Sequence, residues 1–102
     1  MIEYDRIMRE CFWDYRVSKE DIARMASSEN KQERSFLFEK ILLGSTRMFQ
    51  DLKVFEPAVL EELIREYQVP TFNNDYAFKK KNMAEVYFLG EPLKIRELQW
   101  VA

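Results

Sequence analysis

The chain has 102 residues, 47% of them hydrophobic and 33% charged, with a net charge of −2 and no histidine. That length and balance suit one folded domain with its own core and exclude a disordered chain. The missing histidines exclude Ser-His and Cys-His nucleophile pairs and His-ligated zinc, and a single cysteine, Cys11, excludes an internal disulfide or a cysteine-built zinc site.

Two glycines and three prolines are too few for the turns of a β-sandwich or barrel. The expected fold class is therefore all-α, a single compact domain over residues 1–102 built from about five short helices. Basic and acidic side chains nearly balance, 16 against 18, so no overall field draws nucleic acid or membrane. The opening residues, MIEYDRIMRE, lack the apolar run of a leader, and no membrane-spanning stretch is present. A cytoplasmic protein without a cofactor or metal is expected.

Residues 2–15 place Tyr4, Ile7, Met8, Cys11 and Tyr15 at spacings of three and four, a helical stripe. Phe12, Trp13, Asp14 and Tyr15 crowd its end. FWDY reads either as an aromatic anchor on the core or as an exposed partner-binding patch. Ser18 then caps a helix over about 19–27, with Asp21 three residues on in the place where a capping box prefers Glu or Gln. SSENKQE follows as a loop.

The densest apolar stretch runs from Phe36 to Phe55, split by Gly44. Leu37, Phe38, Ile41 and Leu42 form one face, and Gly44 is expected to end that helix in the left-handed conformation. Ser45 or Thr46 caps the next segment, where Met48, Phe49 and Leu52 turn inward and Arg47, Gln50, Asp51 and Lys53 outward. Pro57 starts a further helix with Val59, Leu60, Leu63, Ile64 and Tyr67 buried, ended by Pro70.

Residues 74–90 read as a helix with Tyr76, Ala77, Met83, Ala84, Tyr87 and Phe88 on one side and Gly90 as its stop. Lys80 falls within that stripe and would snorkel to water. AEVYFL is the strand alternative. The tail EPLKIRELQWVA reads equally as a short strand or a last helical turn, with Trp100 docking it.

Chemistry is sparse. With glycine only at 44 and 90, there is no phosphate-cradling loop. Glu61, Glu62 and Glu66 lie close in sequence but suit a solvated helix surface, so an enzyme is not expected. Lys79, Lys80 and Lys81, beside Tyr76 and Phe78, form the one basic run. Lysines among aromatics can neutralise phosphates and stack bases, and Arg47, Lys53, Lys94 and Arg96 could join them.

FWDY at 12–15, FLFEKILLGS at 36–45, EELIREY at 61–67 and VYFLG at 86–90 together resemble a family of small bacterial domains of unknown function. Members of that family are commonly encoded beside a nucleotidyltransferase-fold protein of the abortive-infection toxin type. The resemblance spans about residues 11–90; the KKKN segment and the extension past Gly90 depart from it. It implies a non-catalytic, antitoxin-like partner of a nucleotidyltransferase and names no catalytic residue. The alternative is a small nucleic-acid-binding module using Lys79–Lys81, and a homo-oligomer stays open.

Overall fold

The computed structural model describes residues 2–72 and 74–94. Its helices are α1 (Tyr4–Cys11), α2 (Lys19–Ala26), α3 (Lys31–Gly44), α4 (Met48–Asp51), α5 (Pro57–Glu66) and α6 (Asn74–Leu89), with a 3-10 turn over Leu52–Val54. No strand occurs among the described residues, so the class is all-α as expected. There are six helices among the described residues where about five were expected, and α4, the helix after Gly44, is a single turn. AEVYFL lies inside α6, not in a strand, and residues 91–94 are irregular. Trp100 and the rest of the tail from 95 to 102 lie outside the described residues.

α3 is the element all the others use. It packs against α1, α2, α4, α5, α6 and the 3-10 turn. Leu37, Phe38, Ile41 and Leu42 retain at most 1% of their surface. Burying side chains of this size is worth about 2 kcal/mol each, so these four alone rival the net stability of an ordinary domain. Ile7 and Cys11 of α1, Ile22, Met25 and Ala26 of α2, and Leu60, Leu63 and Ile64 of α5 complete a single core around them.

Local chemistry sets the helix starts. The Asp21 N–H donates to Ser18 Oγ at 3.1 Å and the Ser18 N–H to Asp21 Oδ2 at 2.9 Å, so Asp serves in the capping box. α3 begins at Lys31, five residues before the apolar stretch, because Asn30 Oδ1 accepts from the Gln32 N–H at 2.8 Å. The expected SSENKQE loop is therefore cut to residues 27–30, and Lys31, Gln32 and Glu33 are helical. α5 starts at Pro57 as expected but ends at Glu66, ahead of the stop at Pro70. The Lys81 ammonium donates to the Tyr67 carbonyl at 2.8 Å and so satisfies that end.

The two glycines do different work. Gly90 has φ +68°, and its N–H donates to the Val86 carbonyl at 3.3 Å, an αL termination of α6. Gly44 does not take the left-handed conformation expected of it; it is the last helical residue of α3. A Cβ there would stand 3.4 Å from the Cys11 Cα and from the Glu10 carbonyl oxygen. Its small size lets α1 cross the end of α3 closely.

α1 then clasps the corner that follows. Arg6 forks onto Asp51, with Nε donating to Oδ2 at 3.2 Å and the terminal nitrogen to Oδ1. The Ser45 hydroxyl also donates to Asp51 and accepts from the Arg47 N–H at 2.9 Å. One turn along, Glu10 accepts the Thr46 N–H and hydroxyl, each at 3.0 Å. Asp51, read as outward-facing, is instead wholly buried. A charged side chain tolerates that position only when paired and hydrogen-bonded.

Substituting each glycine by alanine separates their roles. In urea unfolding, Gly44→Ala is expected to be neutral or to stabilise by up to about 1 kcal/mol, because its backbone is already helical. Gly90→Ala is expected to destabilise by about 1 kcal/mol, because its φ is positive. A larger loss at Gly44 than at Gly90 would contradict this assignment.

The Thr46 N–H, and then its hydroxyl, hold the Glu10 carboxyl below its ordinary value of 4.5. Unfolded chains therefore bind more protons there, so this stability is present above about pH 4.5 and is lost as pH falls through the depressed folded value. Thermal melts from pH 7 down to pH 3 should show a shallower acid decline for Glu10→Gln than for the parent; equal slopes would contradict it.

Candidate functional site

FWDY forms a β-turn. The Tyr15 N–H donates to the Phe12 carbonyl at 2.9 Å, which closes the turn and puts Trp13 and Asp14 at its outer corner. Phe12 points inward and is 2% exposed, whereas Trp13 is 80% exposed and Tyr15 49%. The anchor and patch readings are therefore divided between neighbouring residues. The helical stripe had included Tyr15, but α1 stops at Cys11 and the turn carries Tyr15 out of it.

Phe36 of α3 joins this group and is 40% exposed. Its ring centroid lies 6.0 Å from Phe12 and 5.8 Å, edge-on, from Tyr15. The Lys40 ammonium sits 4.5 Å above the Tyr15 ring, a cation–π contact that holds the edge of the patch. Tyr15 and Phe36 thus rest on a buried Phe12 footing, with Trp13 beside them at the corner of the turn. Phe72, in the α5–α6 connection, is equally exposed at 81% but has no such footing among the ring contacts of the described residues.

The basic run does not form one patch. Successive residues of a helix are turned by about 100°, so three in a row cannot share a face. Lys79 pairs with Asp75 at 3.3 Å, and Lys81 is bound to the Tyr67 carbonyl. Lys80 leans over the Tyr76 ring, 5.5 Å from its centroid, and reaches a separate groove. Tyr76 and Tyr87, expected on the inward stripe, are 45% and 53% exposed; the inward face is Ala77, Ala84 and Asn82.

That groove, of about 750 Å³, runs between the α3–α4 corner and α6. Arg47, Lys53 and Lys80 line it, with Phe49, Met83 and Tyr87 as its apolar part. Phe49 and Tyr87 stack at 4.4 Å between centroids and 13° between planes. The sequence places Arg47 and Lys53 outward and lets them join the lysine run if the fold allows; the structure brings them to Lys80 in this groove. Their convergence with Lys80 depends on the corner after Gly44, which no local pattern encodes.

Asn82 is the other residue that sequence reading passed over. It is 1% exposed, and its amide nitrogen donates to the Glu85 carboxylate and the Pro92 carbonyl, both at 3.1 Å. Its oxygen accepts the Lys94 N–H, so one amide fixes the chain after Gly90.

Glu61 and Glu62 are ordinary surface groups. Glu61 pairs with Arg65 at 3.2 Å and Glu62 with Lys31 at 3.4 Å, both exposed. Among the described residues no group of three or more carboxylate or thiol side chains is placed to share a metal ion. Burial, reinforced by Asp51 and Glu10, pushes the Cys11 thiol up to about 12, which leaves it a weak nucleophile. No described helix is long and apolar enough to cross a membrane.

No protein-family model, curated protein or solved structure matches the chain.

Phe12 and Trp13 should separate in a stability measurement. Phe12→Ala is expected to destabilise by about 3–5 kcal/mol, the usual range for emptying a buried aromatic site. Trp13→Ala should stay within about 0.5 kcal/mol of the parent, as exposed positions do. Equal losses in urea melts would show that Trp13 belongs to the fold.

Proposed function

We propose that this chain is a non-catalytic protein-interaction domain whose contact surface is Trp13, Tyr15 and Phe36. The observation that carries the reading is Trp13, four-fifths exposed at the corner of a turn whose neighbour Phe12 is locked in the core. Trp and Tyr dominate binding hot spots because they bury a large area while losing few rotamers. Tyr15 and Phe36 beside it are also held in place before binding, by their ring contacts and by Lys40. Preorganisation of that kind reduces the entropy lost on association.

The resemblance of FWDY and its companion segments supplies the partner to test first, a nucleotidyltransferase-fold protein encoded beside this chain. In that pairing the domain restrains or presents the transferase, in the manner of an antitoxin. The aromatic surface supports such a role and contains no group suited to a reaction of its own. The basic run gives less support to a nucleic-acid reading, because Lys79 and Lys81 are occupied by contacts within the chain.

Co-expression with the neighbouring protein, followed by size-exclusion chromatography at micromolar concentration, tests this. The expected result is co-elution, with Trp13→Ala weakening the complex by about thirtyfold or more, the signature of a hot spot above 2 kcal/mol. Separate elution of the two proteins would overturn the partner; co-elution unaffected by Trp13→Ala would overturn the surface.

A further inference from the structure

The groove beside α6 shares no lining residue with the aromatic patch and is left unused by the interaction reading. Its composition departs from that of the chain. A protein with net charge −2 gathers Arg47, Lys53 and Lys80 here, from three separate elements, with no carboxylate among the lining residues. Glu10 and Asp51, which bond to groove residues, are already engaged: Glu10 by Thr46, and Asp51 by Ser45 and Arg6. Neither the Arg47 guanidinium nor the Lys53 ammonium has an ion-pair partner among the described residues. Like charges held in a concave site raise the local potential and select for an anion.

The groove also has a flat apolar part. Tyr87 stacks on Phe49 and makes a T-shaped contact with Phe88 at 4.8 Å, so the ring is fixed while the residue stays 53% exposed. A fixed exposed ring offers a planar ligand a stacking surface without ordering a mobile side chain. The volume of about 750 Å³ falls within the range of small-ligand sites. Phosphate charge and a planar base in one molecule satisfy both halves of this lining.

We propose that the groove binds a nucleotide unit, its phosphate held by Arg47 and Lys53 and its base stacked on Tyr87 beside Lys80. The unit can come from a free nucleotide or from single-stranded nucleic acid. Binding here stands apart from the protein partner, since it uses neither Trp13 nor Tyr15.

Calorimetric titration of the purified chain with AMP, with a short oligothymidylate and with inorganic pyrophosphate, in about 50 mM salt, tests the site. Saturable binding of AMP or the oligonucleotide is expected. Arg47→Ala combined with Lys53→Ala should weaken it about tenfold or more. Tyr87→Ala should weaken AMP about tenfold and leave pyrophosphate unchanged, because stacking acts on the base alone. Lys79→Ala, on the same helix but outside the groove, should change neither.

Oligonucleotide binding tenfold tighter than AMP, with a slope of log affinity on log salt near about −2, assigns the site to single strands. Equal affinities assign it to free nucleotides. Absence of binding by both probes at millimolar concentration overturns the proposal. So does an unchanged affinity in the groove double variant, or an equal loss in Lys79→Ala, which would mark unspecific charge attraction. Circular dichroism of each variant shows whether it is folded; Arg47, Lys53 and Tyr87 are exposed enough that their truncation leaves the core intact.

Discussion

A carboxylate with no exposed surface must be met by donors, and in this molecule that demand falls on Asp51. Two groups answer it: the Arg6 guanidinium from α1 and the Ser45 hydroxyl from the corner after α3. Satisfying Asp51 therefore fixes three things together. It sets the rotation of α1, the direction the chain takes on leaving α3, and the seating of α4. The close crossing at Gly44 belongs to the same arrangement: a single methyl there would just reach the Cys11 Cα and the Glu10 carbonyl oxygen at ordinary contact distance, whereas a longer side chain would meet α1. Charge pairing of this kind adds little net stability beyond what an apolar substitute would give, but it admits only one geometry.

The parts of the fold written in the sequence are those settled within a few residues. The Ser18–Asp21 capping box, the helix start at Pro57, the αL stop at Gly90 and the apolar face of α3 each depend on neighbours in the chain. The parts that were illegible depend on distant partners. Asp51 looked outward because helical spacing placed it opposite the apolar stripe, and its buried state rests on an arginine 45 residues earlier. Gly44 resembled a left-handed cap because that is the common use of glycine near a helix end, whereas its role lies in the approach of a second helix. Asn82 carries no signal at all until the chain beyond Gly90 folds back on it.

The candidate surfaces divide along the same line. FWDY was recognisable as an aromatic cluster, yet which ring turns inward depends on the hydrogen bond that closes the turn and on the position of Phe36. KKKN was recognisable as a basic run, yet a helix distributes adjacent lysines around its axis, and two of the three serve the fold itself. The cationic groove gathers residues that no window of the sequence contains. Composition identified the ingredients, and the corner at Gly44 decided how they were grouped.

Because α3 touches every other helix, no subset of the described elements has a core of its own. Removing α1 strips the corner of its clasp, and removing α5 and α6 uncovers Phe38 and its neighbours. The apolar area that would stabilise any part without α3 is the area of α3 itself. A core shared in this way favours cooperative folding, because the central helix is covered only once segments on both sides of it in the chain are in place.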